Sequence, residues 1–206
     1  SAAKVGDLFA SFMDEDRIES LGLAPLDPDR ARIEQIDSPD QLMGALGAFA
    51  REGVMGLVTP FINNDRRDAT RYVTYLDQSG LGLPDEAYYR EERYAEVRDA
   101  YRIHLERMLT LSGLENPAEG AGRIYALEER LAAAHWDTVT NRDPVKTYTL
   151  VDAAGLAELT PGLDWNAYLE GAQAPESLLE AVVVRQPSFL TAAAEAVAEV
   201  PLQTWR

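Results

Sequence analysis

The sequence has no cysteine and only two histidines among its 206 residues. The absence of cysteine excludes disulfide bonds, thiolate zinc sites and a cysteine nucleophile. The two histidines, His104 and His135, are too far apart for an HExxH pattern, in which two histidines one helical turn apart bind one zinc ion. The chain therefore carries no catalytic or zinc-binding motif that its sequence reveals.

Long apolar runs and positive charge are also scarce. No segment reaches the ~18 consecutive apolar residues of a membrane span, and the opening SAAKVGDLFA lacks the layout of a signal peptide. The chain has 35 acidic and 19 basic side chains, a net charge of −16. Nucleic acid and anionic membranes are therefore poor partners, because both are bound through Lys and Arg. The lack of cysteine leans towards a reducing compartment but also fits bacterial secreted proteins, so the compartment stays open.

Composition and periodicity predict one mainly helical domain over residues 1–206. Hydrophobic content of 46% and charged content of 26% are those of an ordinary globular protein. Apolar spacing, caps and first-turn prolines predict helices. Their approximate ranges are 3–13, 14–21, 28–36, 39–52, 91–112, 117–139, 152–158, 164–171, 175–180 and 187–200. The residues predicted to line the buried face of the long helix are Tyr94, Val97, Tyr101, Leu105, Met108 and Leu111.

Two β-branched and aromatic stretches predict strands over about 54–62 and 70–78, paired as an antiparallel hairpin. Pro60 favours an edge position for the first strand or a bulge late in it, and 182–184 could add a third strand. A hairpin alone is marginally stable, so helices must cover one of its faces. The predicted fold class is therefore mainly α, a multi-helix lobe with a small antiparallel hairpin or sheet.

A glycine-rich bend, SGLGLP, follows the second predicted strand. Gly80 and Gly82 lack the GxGxxG and GxxxxGK[ST] patterns of phosphate-binding loops. A tight turn that needs positive φ is the simpler interpretation. Ser79 is not part of a GxSxG elbow, although a Ser-His-Asp arrangement is geometric and stays open at this point.

The other polar candidates have simple structural interpretations. His104 is interpreted as a partly exposed or hydrogen-bonding helix residue. His135 is interpreted as a helix C-terminal histidine, favoured by the helix dipole and packed on the indole of Trp136. Adjacent carboxylates do not face each other on a helix, so Glu91-Glu92 and Glu128-Glu129 are interpreted as solvated surface.

Basic residues cluster beside the loop of the predicted hairpin. Arg66-Arg67 and Arg71 could contact a carboxylate, but pairing with Asp65 and Asp68 is the simpler account. The NRDP sequence that begins at Asn141 is typical of a turn, because Asn and Asp bond their own backbone and proline fixes φ.

Several segments together resemble the neprilysin-like zinc metallopeptidases, the family of neprilysin, endothelin-converting enzyme and bacterial PepO-type enzymes. The segments are LDQSGLGLPDEAYY, HW followed by NRDPVKTY at 135–148, PGLDWNAYL at 161–169, VVVRQPSFL at 182–190 and PLQTWR at 201–206. Their order and spacing match from about Lys4 to Arg206. The resemblance implies two mainly helical lobes around a central cavity, of which the larger carries HExxH, binds zinc and cleaves peptide bonds.

The chain looks like most of the smaller, N-terminal lobe, which in this family restricts access to short peptides. The resemblance therefore implies no catalytic and no metal-binding residue here, and zinc only in the parent enzyme. It leaves the substrate-binding residues unknown, because the family's substrate-carboxylate arginine aligns before the start of this chain. The partners implied are the missing catalytic lobe and the peptide substrates of the parent.

Two other functions stay open. The chain could be a stand-alone acidic helical module for protein interaction, since any acidic helical domain fits its sequence. It could also be an independent hydrolase with a dispersed site. The second is the weaker alternative, because two histidines and no cysteine leave few bases or nucleophiles.

Overall fold

The computed structural model describes residues 2–206 and divides the chain into two compact units. The amino-terminal unit ends at Gln35, and the larger unit spans Ile36–Arg206. The predicted fold class, mainly helical with a small sheet, is confirmed. The prediction of one domain over 1–206 stays a prediction.

The amino-terminal unit comprises helices α1 (Ala2–Phe12), α2 (Glu15–Leu21) and α3 (Asp27–Glu34). Asp14 is the N-cap of helix α2, and its side chain accepts a hydrogen bond from the backbone N–H of Arg17 at 3.1 Å. Such a cap satisfies one of the free N–H groups of a first turn. The apolar positions of α1 have helical spacing but are 65% to 75% exposed; they are Val5, Leu8, Phe9 and Phe12.

The larger unit contains eight α-helices within residues 36–206. They are α4 (Pro39–Arg51), α5 (Ala87–Arg90), α6 (Ala95–Leu111), α7 (Pro117–Ala134), α8 (Ala153–Leu159), α9 (Trp165–Ala172), α10 (Pro187–Glu199) and α11 (Leu202–Trp205). The long helix predicted from residue 91 begins only at Ala95, because Glu91 is extended (φ −81°, ψ 135°) and a 3-10 turn follows it. The helix predicted over 175–180 is a 3-10 helix at Glu176–Leu179.

The sheet has four strands in the order β1-β2-β4-β3. They are β1 (Val58–Asn64), β2 (Tyr72–Gln78), β3 (Thr149–Val151) and β4 (Val182–Val184). The predicted antiparallel hairpin of β1 and β2 and the third strand at 182–184 are confirmed. Strand β1 starts at Val58 rather than at 54, and it lies at an edge, as Pro60 predicted.

Two features of the sheet were not predicted. Strand β3 pairs antiparallel with β4, and β4 runs parallel to β2, so the sheet is mixed rather than antiparallel. Strand β3 is only three residues long. A strand of that length offers too few positions for a two-residue period to reveal it.

The two faces of the sheet contribute to different apolar clusters. One face, with Val58, Leu76, Val182 and Val184, belongs to the main core, which also contains residues of α4, α9 and α10. The other face forms a smaller cluster of Val73, Tyr75, Tyr148 and Val183, with Phe61 packed against it. Strand β4 is therefore covered on both faces, which explains its uninterrupted run of valines.

Helix α6 has no buried residue, although its sequence predicts a buried apolar face. Tyr101 and Leu105 pack against the cluster that includes Tyr125 of α7. In contrast, Met108 and Leu111 are 50% and 60% exposed. The prediction of a buried face is thus wrong for Met108 and Leu111. Apolar spacing identifies an apolar helix face but does not show whether another element packs against it.

None of the helices within residues 2–206 has the length and apolar character needed to cross a membrane.

Helices α4 and α9 cross at glycines. A Cβ atom added to Gly47 would lie 2.0 Å from the carbonyl oxygen of Tyr168, and one added to Gly171 would lie 1.9 Å from that of Gly44. Real Cβ atoms do not approach backbone oxygens so closely, so only glycine allows this approach. The crossing attaches α9 to the helix that lies ahead of the hairpin in the chain.

We expect Gly47→Ala to lower the free energy of unfolding by about 1–3 kcal/mol or more, since the methyl group must push two backbones apart. Gly122→Ala is the matched control, because Gly122 lies on α7 with nothing within 4 Å of its added Cβ. Alanine is the better helix former there by ~1 kcal/mol, so the control is expected to gain stability. Urea denaturation measures the free energy of unfolding of both variants. An equal change in the two would contradict the tight crossing of α4 and α9.

Candidate functional site: a polar junction at the end of the sheet

The two histidines lie in different surroundings. His104 is exposed on α6, with its ring 6.5 Å from that of Tyr101. His135 caps the C-terminus of α7 and is partly buried. Within residues 2–206, no three His, Cys, Asp or Glu side chains are grouped in a way that could hold a metal ion.

His135 is a neutral structural residue at pH 7. Its Nε2 lies 3.0 Å from the carbonyl oxygen of Ser79, so this nitrogen carries the proton and donates it. Burial lowers the pKa of His135 below its usual value and outweighs the opposing effect of this hydrogen bond. The ring packs edge-on against Phe189 at 4.5 Å, not on Trp136 as predicted. Because the contact goes to the carbonyl of Ser79, it is not the contact of a base with a serine hydroxyl.

A cavity of about 370 Å³ opens beside His135. Its lining residues are Glu86, Arg90, Ala132, Ala133, His135, Trp136, Asp137 and Thr140. The charged groups are already paired: Arg90 binds Glu86 at 2.6 and 3.0 Å, and Asp137 accepts hydrogen bonds from Val139 and Thr140. The cavity can hold a small molecule, but its polar groups are committed to internal hydrogen bonds.

Gln186 forms the centre of a buried polar network, which we call the junction. Its side chain is 2% exposed and lies just beyond the end of β4. The Nε2 group donates to Asp77 Oδ1 at 2.7 Å and to Asn141 Oδ1 at 2.9 Å, while Oε1 accepts from the backbone N–H of Gln78 at 2.9 Å. One amide thus joins the ends of two parallel strands and the loop at Asn141.

The junction continues through Gln78 to the segment after α7. The side chain of Gln78 donates to the carbonyl of Trp136 at 2.9 Å and accepts from the N–H of Trp136 at 2.8 Å. Asn141 also donates to the carbonyl of Trp136, at 3.0 Å. The Trp136 indole in turn donates to Ser188 on α10 at 2.7 Å. These bonds satisfy backbone groups that no strand or helix pairs.

An ion pair closes the junction on one side. The guanidinium of Arg185 contacts Asp77 Oδ2 and also donates to the carbonyl of Asn141 at 3.3 Å. The Asp77 and Arg185 side chains are 27% and 17% exposed, so water screens the pair only in part.

A second network holds the tip of the β1–β2 hairpin. The carboxylate of Asp65, which is 1% exposed, accepts hydrogen bonds from the Tyr148 hydroxyl at 2.7 Å, from the backbone of Arg67 at 2.8 Å and from the Arg71 guanidinium at 2.7 and 3.0 Å. The bond from Tyr148, followed by the others, lowers the pKa of Asp65 to about 2. The predicted pairing with Asp65 and Asp68 therefore holds for Arg71 alone.

Glu128 is not solvated surface, as its sequence context suggested. Its carboxylate accepts hydrogen bonds from Tyr89 at 2.7 Å and from Tyr101 at 2.8 Å. Burial and these contacts raise the pKa of both phenols. The Tyr101 hydroxyl lies where a Cβ of Gly82 would be, 1.8 Å away. An alanine at position 82 would therefore displace the Tyr101 side chain, and Gly82, unlike Gly80, does not have positive φ.

Gly80 has the positive φ that the bend predicted, at 90°. The predicted turn at Asn141 is a 3-10 turn over Thr140–Arg142. Sequence reasoning missed the roles of Gln186, Asp77 and Glu128, whose partners lie 27 to 109 residues away. The sequence offered one indirect signal for these roles. Three of the segments that carry the family resemblance contain the residues of the junction.

A family model described as peptidase family M13 matches residues 1–206. The chain is 30% identical over 186 residues to rat endothelin-converting enzyme-like 1, covering 81% of this chain and 24% of that protein. It is 39% identical to Mycobacterium tuberculosis zinc metalloprotease Zmp1 in complex with an inhibitor, with a TM-score of 0.93 over 98% of this chain and 31% of that one. PepO from Lactobacillus rhamnosis HN001, at 17% identity and a TM-score of 0.68 over 90% of this chain and 29% of that one, shares the fold.

The chain belongs to peptidase family M13, and it matches the family's N-terminal region. It spans about a quarter of the length of the rat protein and about a third of the mycobacterial chain.

We expect Gln186→Met to lower the free energy of unfolding by roughly 2–4 kcal/mol. The apolar chain fits the space but removes the three hydrogen bonds of the Gln186 amide, to Asp77, Asn141 and the Gln78 N–H, at about 1 kcal/mol for each bond. Gln203→Met, at an exposed position of α11, is the control. Urea denaturation of both variants measures the difference, and an equally small loss would show that the junction does not stabilise the fold.

Asp65→Asn is expected to destabilise the chain most at neutral pH. The folded-state pKa of about 2 lies below the ordinary 3.8, so ionised Asp65 stabilises the fold above about pH 4. That contribution disappears as the pH falls from about 4 to about 2. Urea denaturation at several pH values should therefore show wild type and variant converging in this range. The exposed Glu129→Gln serves as control, and a constant gap between wild type and Asp65→Asn would contradict the assignment.

Proposed function

We propose that this chain is the non-catalytic lobe of a zinc-dependent metalloendopeptidase that cleaves short peptides, and that it restricts access to a central cavity. The similarity of nearly the whole chain to one part of a mycobacterial zinc metalloprotease carries this proposal. The remaining two thirds of that protein have no counterpart in residues 1–206, so we assign the chemistry to the rest of the parent polypeptide.

The larger unit has the properties of a rigid wall. Its loops are held by hydrogen-bonded side chains: the buried Gln186 at the junction, the buried Asp65 at the hairpin tip and the partly buried Glu128 at the glycine-rich bend. Such networks hold loops in one conformation. A size filter needs this rigidity, because a wall that yields would admit larger substrates.

Exposed apolar side chains on α6 are consistent with a neighbouring lobe. Val97, Met108 and Leu111 are 41%, 50% and 60% exposed on the helix face that the sequence marks as apolar. Exposed apolar surface of this kind favours association. In the proposed parent, the catalytic lobe is the neighbour.

Zinc does not fit the residues of this chain. Its usual protein ligands are Cys, His and carboxylates; cysteine is absent, and His135 donates its Nε2 proton to a carbonyl. No other His, Cys, Asp or Glu group in the described part of the chain has the necessary grouping. We therefore assign the metal to the rest of the parent polypeptide.

The alternative is a stand-alone acidic helical module that binds another protein. The exposed apolar positions of α1, at 65% to 75%, favour it as much as they favour the lobe. The gene beyond Arg206 separates the two. An open frame with HExxH on a predicted helix and a glutamate motif downstream supports the lobe, whereas an early stop codon supports the module.

The pure 206-residue chain is expected to bind no stoichiometric zinc and to cleave no peptide. The complete polypeptide, purified in parallel, is expected to contain zinc and to cleave short peptides until a chelator is added. Elemental analysis and a fluorogenic peptide assay measure both properties. Chelator-sensitive cleavage by the 206-residue chain alone would overturn the proposal and favour an independent hydrolase.

A further inference from the structure

We propose that Arg66 and Arg67, at the tip of the β1–β2 hairpin, bind carboxylate groups of an acidic peptide segment. The proposal goes beyond the function proposed above and does not depend on it. It concerns a site within the larger unit, built from residues 65–75 and 147–148.

The charges of these two arginines are not neutralised within the described chain. Arg71 takes the local carboxylates, with Asp65 at 2.7 Å and Asp68 at 4.0 Å. The ion pairs formed among residues 2–206 involve neither Arg66 nor Arg67. Both residues are exposed, so an external carboxylate can reach them.

The two side chains are held in place by aromatic rings. The guanidinium of Arg67 lies 4.2 Å from the centre of the Tyr148 ring, and that of Arg66 lies 5.8 Å from the centre of the Tyr75 ring. Arg66 also donates from Nη1 to Thr147 Oγ1 at 3.3 Å. A guanidinium stacked on a ring keeps its edge N–H groups free for a carboxylate.

The backbone beneath them is equally well fixed. The N–H of Arg67 binds the buried carboxylate of Asp65 at 2.8 Å, and the N–H of Arg66 binds the hydroxyl of Tyr75 at 3.2 Å. That hydroxyl donates to the carbonyl of Asn64 at 2.9 Å. The arginine pair is therefore already ordered before a ligand binds, so binding loses little conformational entropy.

The charge of the whole chain favours a short acidic ligand over nucleic acid. The net charge is −16, and DNA carries one phosphate per ~1.7 Å of axis, so it needs many cations and would be repelled elsewhere. A short acidic segment needs only two guanidinium groups. Repulsion over the rest of the surface would then confine such a segment to the arginine pair.

The test is a titration of the ¹⁵N-labelled 206-residue chain with the peptide acetyl-Glu-Glu-Glu-amide, followed by NMR. We expect shifts in the Nε–Hε signals of Arg66 and Arg67 and in the amides of residues 65–71, which weaken in 0.5 M salt as exposed ion pairs do. The uncharged peptide acetyl-Gln-Gln-Gln-amide should cause no such shifts. The double variant Arg66→Gln, Arg67→Gln should weaken binding about fivefold or more.

Arg102→Gln is the matched control, since Arg102 is also exposed and stacks on a tyrosine, 4.0 Å from the ring of Tyr125. It should bind the acidic peptide as wild type does. The spectrum of each variant reports whether it is folded. An absence of binding, equal binding by the double variant, equal loss in Arg102→Gln, or shifts confined to other surfaces would each overturn the proposal.

Discussion

The buried side-chain amide of Gln186 is the constraint on which the larger unit depends. It lies where β2 and β4, a parallel pair, end at the same edge of the sheet, and it hydrogen-bonds Asp77, Gln78 and Asn141 together. Parallel strands cannot be joined by a tight turn, so their relative position must be set by other contacts. Here two strands, the loop after α7 and the start of α10 meet around one amide whose donors and acceptor are all used. The glycine crossing of α4 and α9 does the same for the helical side of the core.

This arrangement gives the segments that resemble other M13 proteins a structural role. LDQSGLGLP contributes Asp77 and Gln78, the segment from His135 contributes Trp136 and Asn141, and VVVRQPSFL contributes Arg185 and Gln186. Each of these residues hydrogen-bonds to another part of the same chain. A side chain that completes a buried network is as restricted in type as a catalytic one, because its loss leaves its partner buried and unpaired. Recognisable motifs are therefore weak evidence for an active site unless their polar atoms remain free.

The sequence predicted what depends on local chemistry. The helix cap at Asp14, the hairpin, the edge position of Pro60 and the positive φ of Gly80 all follow from short-range rules, and all are present. The failures involve long-range partners. Glu128 looked solvated because its two tyrosines come from distant segments. His135 was predicted to pack on its neighbour Trp136, because its contact with the distant Phe189 is invisible in sequence. Periodicity likewise identified the apolar face of α6 but not which of its residues pack: Tyr101 and Leu105 do, whereas Met108 and Leu111 are exposed.

The exposed apolar side chains of α6 and the unpaired arginines of the hairpin tip, Arg66 and Arg67, need different kinds of contact. Burying the exposed apolar side chains of α6 against a partner is favourable by about 25 cal/mol per Å² of apolar area. They therefore need an extended complementary surface. Arg66 and Arg67 need only two carboxylates, because their position is already fixed by the Asp65 network and by Tyr148. High salt weakens the second contact and leaves the first intact. A folded neighbour on α6 and an acidic segment at the hairpin tip are therefore separable, and occupying one does not require the other.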